Sequence, residues 1–246
     1  MDRLKFFALT RRYHVIDNPI SETKLERVVG VLNLAANAKV LDIASGKGEL
    51  LCRIAAKYQA RCTGVELNPE HCASAEATVQ RRGLSEFVEI RNQPGQDFQA
   101  DAGSYDVAMC VGAEWIFAGW KGTLAHLANW TRDGGIVVAG TPFWATRPSQ
   151  DYLTLSGISE DDFTSHAGNI AIGEGIGLTL VYSIASNRDD WDHYCGLTWL
   201  AAYDYIRENP GDADNGEIAV LTEKDKQEYF RGGRECLSWG IYVFRK

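Results

Sequence analysis

The stretch V40-L41-D42-I43-A44-S45-G46-K47-G48-E49-L50 decides how the rest of this chain is read. Lys39 to Ala44 is a short apolar run rich in β-formers, and Glu49 to Tyr58 has the periodicity of a helix. Between them lie an acidic residue at the strand end, Asp42, and two glycines, Gly46 and Gly48. Strand, glycine turn and helix in that order form the opening half of a βαβ unit that binds a ligand at the turn.

Working outward, apolar residues at helical spacing predict a helix over 21–34, with Leu25, Val28, Val29 and Leu32 on one face and Ser21 as its cap. Downstream, strands are expected over 60–67, 87–91, 105–112 and 136–140, and helices over 69–82 and 122–131. This alternation demands crossover connections and hence a mainly parallel sheet covered on both faces. Further on, a helix over 161–175, a strand over 178–185, a helix over 190–208, a helix over 223–230 and a strand over 239–245 complete the pattern. The expected fold class is α/β: a doubly wound, mainly parallel seven-stranded sheet in one domain, 1–246. The polar stretch 209–216 (NPGDADNG) reads as a loop.

Composition sets limits. Of 246 residues, 45% are hydrophobic and 24% charged, which is globular usage, and the formal charge of −8 offers no bulk positive surface for a nucleic acid. Cys52, Cys62, Cys72, Cys110, Cys195 and Cys236 include no C-x-x-C pair, so reduced thiols and a cytoplasmic location are expected. The N-terminus does not have the form of a signal peptide. No apolar run approaches the roughly 18 residues of a membrane span. His14, His71, His126, His166 and His193 are isolated from one another, so no metal site is expected.

Glycine turns after a first strand serve dinucleotides, nucleoside triphosphates and S-adenosylmethionine (SAM). A dinucleotide loop would place a third glycine where Leu51 stands, and Glu49 is unfavourable beside a phosphate. No G-K-[ST] follows either. Asp42 instead suits a cationic amino-acid moiety, and Glu66, at the end of the next strand, is placed to accept both hydroxyls of a ribose. A purely structural turn, with Asp42 capping the helix, is the competing reading.

These residues resemble motif I and the following acidic position of class I SAM-dependent methyltransferases. The likeness extends to bacterial small-molecule enzymes of the ubiquinone/menaquinone-biosynthesis type, through V-G-A-E-W (111–115), D-G-G (133–135), T-P-F-W (141–144) and R-E-C-L-S-W-G (234–240). The resemblance implies methyl transfer from SAM to a small-molecule acceptor, with S-adenosylhomocysteine (SAH) as product. A SAM-binding sensor or scaffold without turnover is the alternative. It implies cofactor contacts from Asp42, Ala44, Ser45, Gly46, Gly48, Glu66, Leu67, Asn92, Gln93 and Val111, with Gln93 standing where the family often has an acid facing adenine. Ala44 replaces the usual first glycine, a change tolerated unless φ there is positive.

For the acceptor side, position at the carboxyl ends of the strands selects Trp115, Phe143 and Trp144. Glu114 is either a base or substrate-orienting carboxylate, or a solvated residue opening a helix. Trp115 is either a pocket wall or a core residue. The resemblance implies an N-terminal lid, 1–20, carrying His14 as a catalytic candidate, against which a surface histidine near a terminus is the more ordinary reading. It also implies a helical cover, 187–235, from which Tyr194 and Trp199 would reach substrate or else belong to a core stripe. Arg234 and Glu235 are read as an anion contact or a structural ion pair. Oligomeric state and acceptor identity have no sequence signal.

Overall fold

The computed structural model describes residues 1–246. Seven strands form one sheet: β1 (Lys39–Ile43), β2 (Arg61–Glu66), β3 (Val88–Asn92), β4 (Tyr105–Val111), β5 (Thr131–Trp144), β6 (Thr179–Ala185) and β7 (Leu237–Arg245), in the order β3-β2-β1-β4-β5-β7-β6. All neighbours pair in parallel except β7, which runs antiparallel to both β5 and β6. The sheet is the mainly parallel, doubly wound one that the strand–helix alternation predicts.

Pleating divides the core. Val40, Val107, Met109, Val138, Ile241 and Val243 face α2 (Glu22–Leu32) and α3 (Glu49–Tyr58), while Leu41, Ile43, Ala108, Cys110, Val137, Ala139, Tyr242 and Phe244 face α5 (Trp120–Trp130) and α7 (His166–Glu174). Strands alternate their side chains between the two faces, and each face is sealed by helices. Asp42 shares the Val40 face but lies near the carboxyl end of β1, where the covering layer opens. The order of strand addition reverses between the parallel strands β1 and β4: β1 leads outward to β2 and β3, and β4 leads the other way to β5. That switch point leaves a crevice above the carboxyl ends of these strands.

Elements with strong periodicity match expectation closely. The helix predicted at 49–58 is α3, and that at 69–82 is α4 (Pro69–Arg81), capped by Asn68, which accepts from the Glu70 amide at 3.0 Å. The misses have physical causes. Ser21 makes no side-chain cap to α2. β5 extends far beyond 136–140 because β7 pairs with it in register from Ile136↔Arg245 to Trp144↔Leu237. The helix expected over 161–175 is split into a short 3-10 turn, Glu160–Asp162, and α7, each with its own serine cap at Ser159 or Ser165.

Two further helices lack a clear apolar stripe. α6 (Gln150–Ser156) is a two-turn segment, and α9 (Asn215–Glu228) begins inside the stretch expected as loop and buries only Ile218 and Thr222. α9 continues into a π turn, Tyr229–Gly233. α1 (Arg3–Thr10) buries only Leu9 and Thr10 and is fastened by charge instead. Lys5 pairs with Asp212 at 2.8 Å and Asp214 at 2.7 Å, the terminal amine with Glu217 at 2.7 Å, and Arg12 with Glu208 at 2.7 Å. These acids belong to α8 (Arg188–Glu208), to the turn after it, and to α9, so α1 and the α8–α9 pair form one layer over the sheet. All six cysteines are buried and free, and no helix is long and apolar enough to cross a membrane.

Candidate active site

After β1 the chain turns through Ala44, Ser45, Gly46, Lys47 and Gly48 into α3. Gly46 and Gly48 adopt φ of +55° and +72°, the left-handed region that glycine enters without strain. A Cβ on Gly46 would stand 3.2 Å from Asp17 Oδ2. Ala44 also has a positive φ, +59°. The condition for an unstrained alanine at the usual glycine position is therefore not met, and left-handed backbone costs an L-residue about 1 kcal/mol. Ala44→Gly is accordingly expected to raise stability by up to about 1 kcal/mol, less the chain entropy glycine adds to the unfolded state. Thermal melts of the two proteins check this, and a lower melting temperature for the variant would contradict it.

Two carboxylates meet at this turn. Glu66, ending β2, accepts the Gly46 amide on Oε2 at 2.9 Å and the Asn68 amide on Oε1 at 2.8 Å, so one side chain shapes both the β1–α3 and β2–α4 turns. Each oxygen keeps a second lone pair. Asp42 is only 3% exposed, and its Oδ1 has no hydrogen-bond partner. Burial, with Glu66 nearby, pushes its carboxyl up to about 7. A buried carboxylate without a donor is unfavourable by itself and favourable once a cation stands beside it.

Both groups open into a cavity of about 1020 Å³ at the switch point. Its floor comes from the strand ends and their turns: Asp42, Ala44, Ser45, Gly46, Glu66, Leu67, Val111, Gly112 and Ala113. Gly95, Gln96 and Ile116 flank one end, while Ile20, Ile241 and Tyr194 line the other. The roof is the N-terminal segment. Lys47 Nζ donates to the carbonyls of Arg11, at 2.8 Å, and His14, and lies 3.1 Å from Asp17 Oδ1. Asn18 Nδ2 donates to the Val111 carbonyl at 3.0 Å, across Gly112, where a Cβ would come within 2.7 Å of the same amide. Asn68 Nδ2 donates to the Leu4 carbonyl at 3.2 Å. The volume is large enough for a nucleoside-sized ligand with a second small molecule beside it.

The structure brings together Asp42, Ala44, Ser45, Gly46, Glu66, Leu67, Val111, Trp115 and Tyr194, all on the cavity lining, with Gly48 behind them at the N-terminus of α3. Trp115 is 68% exposed at the mouth, so it is not a core residue. Seven other sequence-derived candidates lie elsewhere. Asn92 Nδ2 is engaged by the carbonyls of Glu66 and Leu67, both at 3.0 Å, and the Gln93 amide donates to the Glu66 carbonyl at 3.1 Å. The 3-10 turn Gly95–Asp97 that follows places Gln96, not Gln93, at the cavity. Phe143 and Trp144 belong to β5, not to a loop after it. Phe143 packs 5.0 Å from the His166 ring, and Trp144 packs on Tyr152 and Phe163 and donates to the Glu160 carbonyl at 2.8 Å.

Trp199 is turned toward α9, donating to Asp225 at 2.6 Å and packing against Tyr229 and Phe230. Glu114 lies in a 3-10 turn, Glu114–Phe117, with its side chain toward Thr141 and its carboxyl pushed up by burial. His14 is 5% exposed, its Nε2 donates to the Tyr194 carbonyl at 2.9 Å, and burial pushes its imidazole down to about 4. It is a neutral pin between the N-terminal segment and α8, not a group facing the cavity. Arg234 holds Asp192 through Nε and Nη2, each at 2.8 Å, which makes it a structural ion pair. Sequence reasoning missed Arg11, Asn18, Lys47, Gln96 and Ile116. Only Lys47 carried a signal, by its place between the two glycines.

A Rossmann-like sheet with a glycine turn, an unpartnered acid at the end of β1 and a second acid at the end of β2 defines an adenosyl-type ligand site. Comparison with known proteins makes the class specific. A family profile described as "Methyltransferase domain" matches residues 40–135. The crystal structure of a SAM-dependent methyltransferase from Geobacter sulfurreducens in complex with SAH is 30% identical, with 98% of this chain and 97% of that chain covered and a TM-score of 0.92. One from Thiobacillus denitrificans, also in complex with SAH, is 30% identical over 99% of both chains, with a TM-score of 0.91. The uncharacterised Escherichia coli protein YjhP is 29% identical over 99% of this chain and 98% of its own. This chain belongs to the class I SAM-dependent methyltransferases.

Proposed function

We propose that this methyltransferase acts on a small-molecule acceptor enclosed with the cofactor in the single cavity above β1, β2 and β4. The observation that carries the reading is the combination of Asp42, buried and unpartnered, with the apolar side chains Ile20, Val111 and Ile241 and the ring of Tyr194 on the lining of the same cavity. The donor set fits the cofactor. Asp42 would hold its ammonium group, Glu66 its ribose hydroxyls through the free lone pairs, and Leu67, Gln96 and Ile116 its adenine. When bound, SAM supplies an electrophilic methyl group on a sulfonium centre.

The chain's own residues then have limited work: to align, to enclose and to exclude water. α1 and the segment to Ile20 close the roof through the Lys47, Asn18 and Asn68 bonds. A roof so fastened covers the cavity from above, which supports a small acceptor. Asn18, Tyr194 and Arg11 bring polar side chains to this part of the lining, suited to orienting an acceptor. With Glu114 turned toward Thr141 and His14 pinned to a carbonyl, neither is placed to take a proton from the acceptor.

Incubation with methyl-labelled SAM and a fractionated cell extract tests this. Label is expected in the low-molecular-weight fraction, with SAH formed in equal amount. Label appearing in protein or nucleic acid, or SAM bound with no SAH formed from any fraction, would overturn the reading.

A further inference from the structure

Charges on the cavity wall are matched except at three places, Asp42, Arg3 and Arg11. Asp17 is paired with Lys47, Glu49 with Arg53 at 2.6 Å and Arg82 at 2.7 Å, and Glu66 accepts two backbone amides. Asp42 is left for a cation. Arg3 and Arg11 are the two unmatched cations, and Arg11 is the one that stacks on an aromatic ring of the cover. Its guanidinium lines the cavity, stacks 4.7 Å above the Tyr194 ring, and uses one donor on Thr198 Oγ1 at 2.8 Å, without an acidic partner. Lys5 on α1 and Arg12 just after it are instead paired with acids of the α8–α9 layer. Arg3, Phe7 and Arg11 recur at four-residue spacing along the side of α1 that meets the cavity. This edge is positive on a protein whose formal charge is −8.

We propose that Arg11, backed by Tyr194, is a receptor for a carboxylate carried by the methyl acceptor. This rests on the small-molecule reading above and narrows it to an anionic acceptor with an apolar or aromatic body. Guanidinium presents its remaining donors as a planar fork that a carboxylate matches in two parallel bonds, and stacking on a phenol ring fixes the plane of the fork. The cofactor's own carboxylate shares a carbon with the ammonium group assigned to Asp42, so SAH affinity in an Arg11 variant distinguishes it from a carboxylate on the acceptor. Glu66 and Leu67, beside the adenosyl end, belong to β2 and its turn, whereas Tyr194 comes from the cover and lines the cavity with Ile241 of β7, across the switch point. Phe7 and Tyr194 flank the guanidinium as apolar walls.

Calorimetry on the SAH-loaded protein, with benzoate as probe and benzamide as its neutral counterpart, tests the assignment. Benzoate is expected to bind at least about tenfold more tightly than benzamide. Arg11→Gln is expected to remove that preference, weakening benzoate about 10- to 100-fold while leaving SAH affinity within about twofold. Arg11→Lys should recover part of it, and unchanged melting temperatures confirm that both variants fold. SAH affinity lost in Arg11→Gln with benzoate unaffected would assign the guanidinium to the cofactor's carboxylate and overturn the proposal. Equal binding of benzoate and benzamide to the SAH-loaded wild-type protein would also overturn it. Failure of the wild-type protein to bind SAH at all would instead bring down the underlying cofactor reading.

Discussion

Asp42→Asn is expected to make the cofactor-free protein more stable and nearly abolish cofactor binding. Asp42 is buried with an unpartnered oxygen and its carboxyl is held at about 7, far above the ordinary 3.8. A carboxyl whose folded pKa is raised contributes stability that is fully present below about pH 4 and is lost as pH climbs to about 7. At pH 8 the ionised side chain therefore works against the fold. Asparagine keeps the shape without the charge, so a gain on the order of 3 kcal/mol, about 5–10 °C in melting temperature, is expected at pH 8 and little change at pH 4. The same substitution removes the counter-charge of a buried ammonium group, which costs about 2–5 kcal/mol of affinity. Scanning calorimetry and SAH titration of the variant check the two halves separately. A variant less stable than wild type at pH 8, or one that binds SAH normally, would contradict the account.

Glu66→Ala is expected to fail in both respects. The side chain accepts the Gly46 and Asn68 amides, and its removal leaves two largely buried donors without acceptors. A loss of about 2–5 kcal/mol of stability follows from the two orphaned donors. Affinity for SAH should fall by more than about 100-fold, because the turn that would cradle the ligand loosens and the ribose acceptors vanish together. Glu66→Gln separates the effects: its amide oxygen can serve one backbone donor, while its NH₂ must face the other. An intermediate melting temperature with a similarly large loss of affinity is the expected pattern. Wild-type affinity in Glu66→Ala would remove Glu66 from the site.

The contrast between these two acids shows what sequence can carry. Asp42, Gly46, Gly48 and Glu66 were legible because their functions depend on local backbone geometry at the ends of β1 and β2, and strand ends are marked by hydrophobic runs. β1 to β5 and the helices between them were legible for the same reason. The acceptor side was not. TPFW (141–144) reads as a loop because nothing in those residues announces that β7, nearly a hundred positions later, pairs with them through Trp144↔Leu237. Gln93 stood at the expected distance from the strand, but the Gly95–Asp97 turn carries the chain on until Gln96 reaches the cavity.

The roof was hidden for a different reason. α1 holds its place by ion pairs with residues more than 190 positions away and by a Lys47 side chain crossing to backbone carbonyls, none of which leaves a periodic trace. Arg11 and Asn18 therefore carry no sequence signal of their place on the cavity lining. Ala44 is the instructive intermediate case: sequence located the position and stated the condition under which alanine is harmless, and only the φ of +59° showed that the condition fails.

The central claim is that Asp42, ionised, receives the ammonium group of an adenosyl amino-acid ligand. Titration calorimetry of SAH into the wild-type protein at pH 6 and at pH 8 tests it most directly. With the carboxyl at about 7, binding must displace a proton at the lower pH and not at the higher one, so one-to-one binding about tenfold tighter at pH 8 is predicted, with proton release at pH 6. Equal affinity at the two pH values without proton release, or no binding at either, would contradict it.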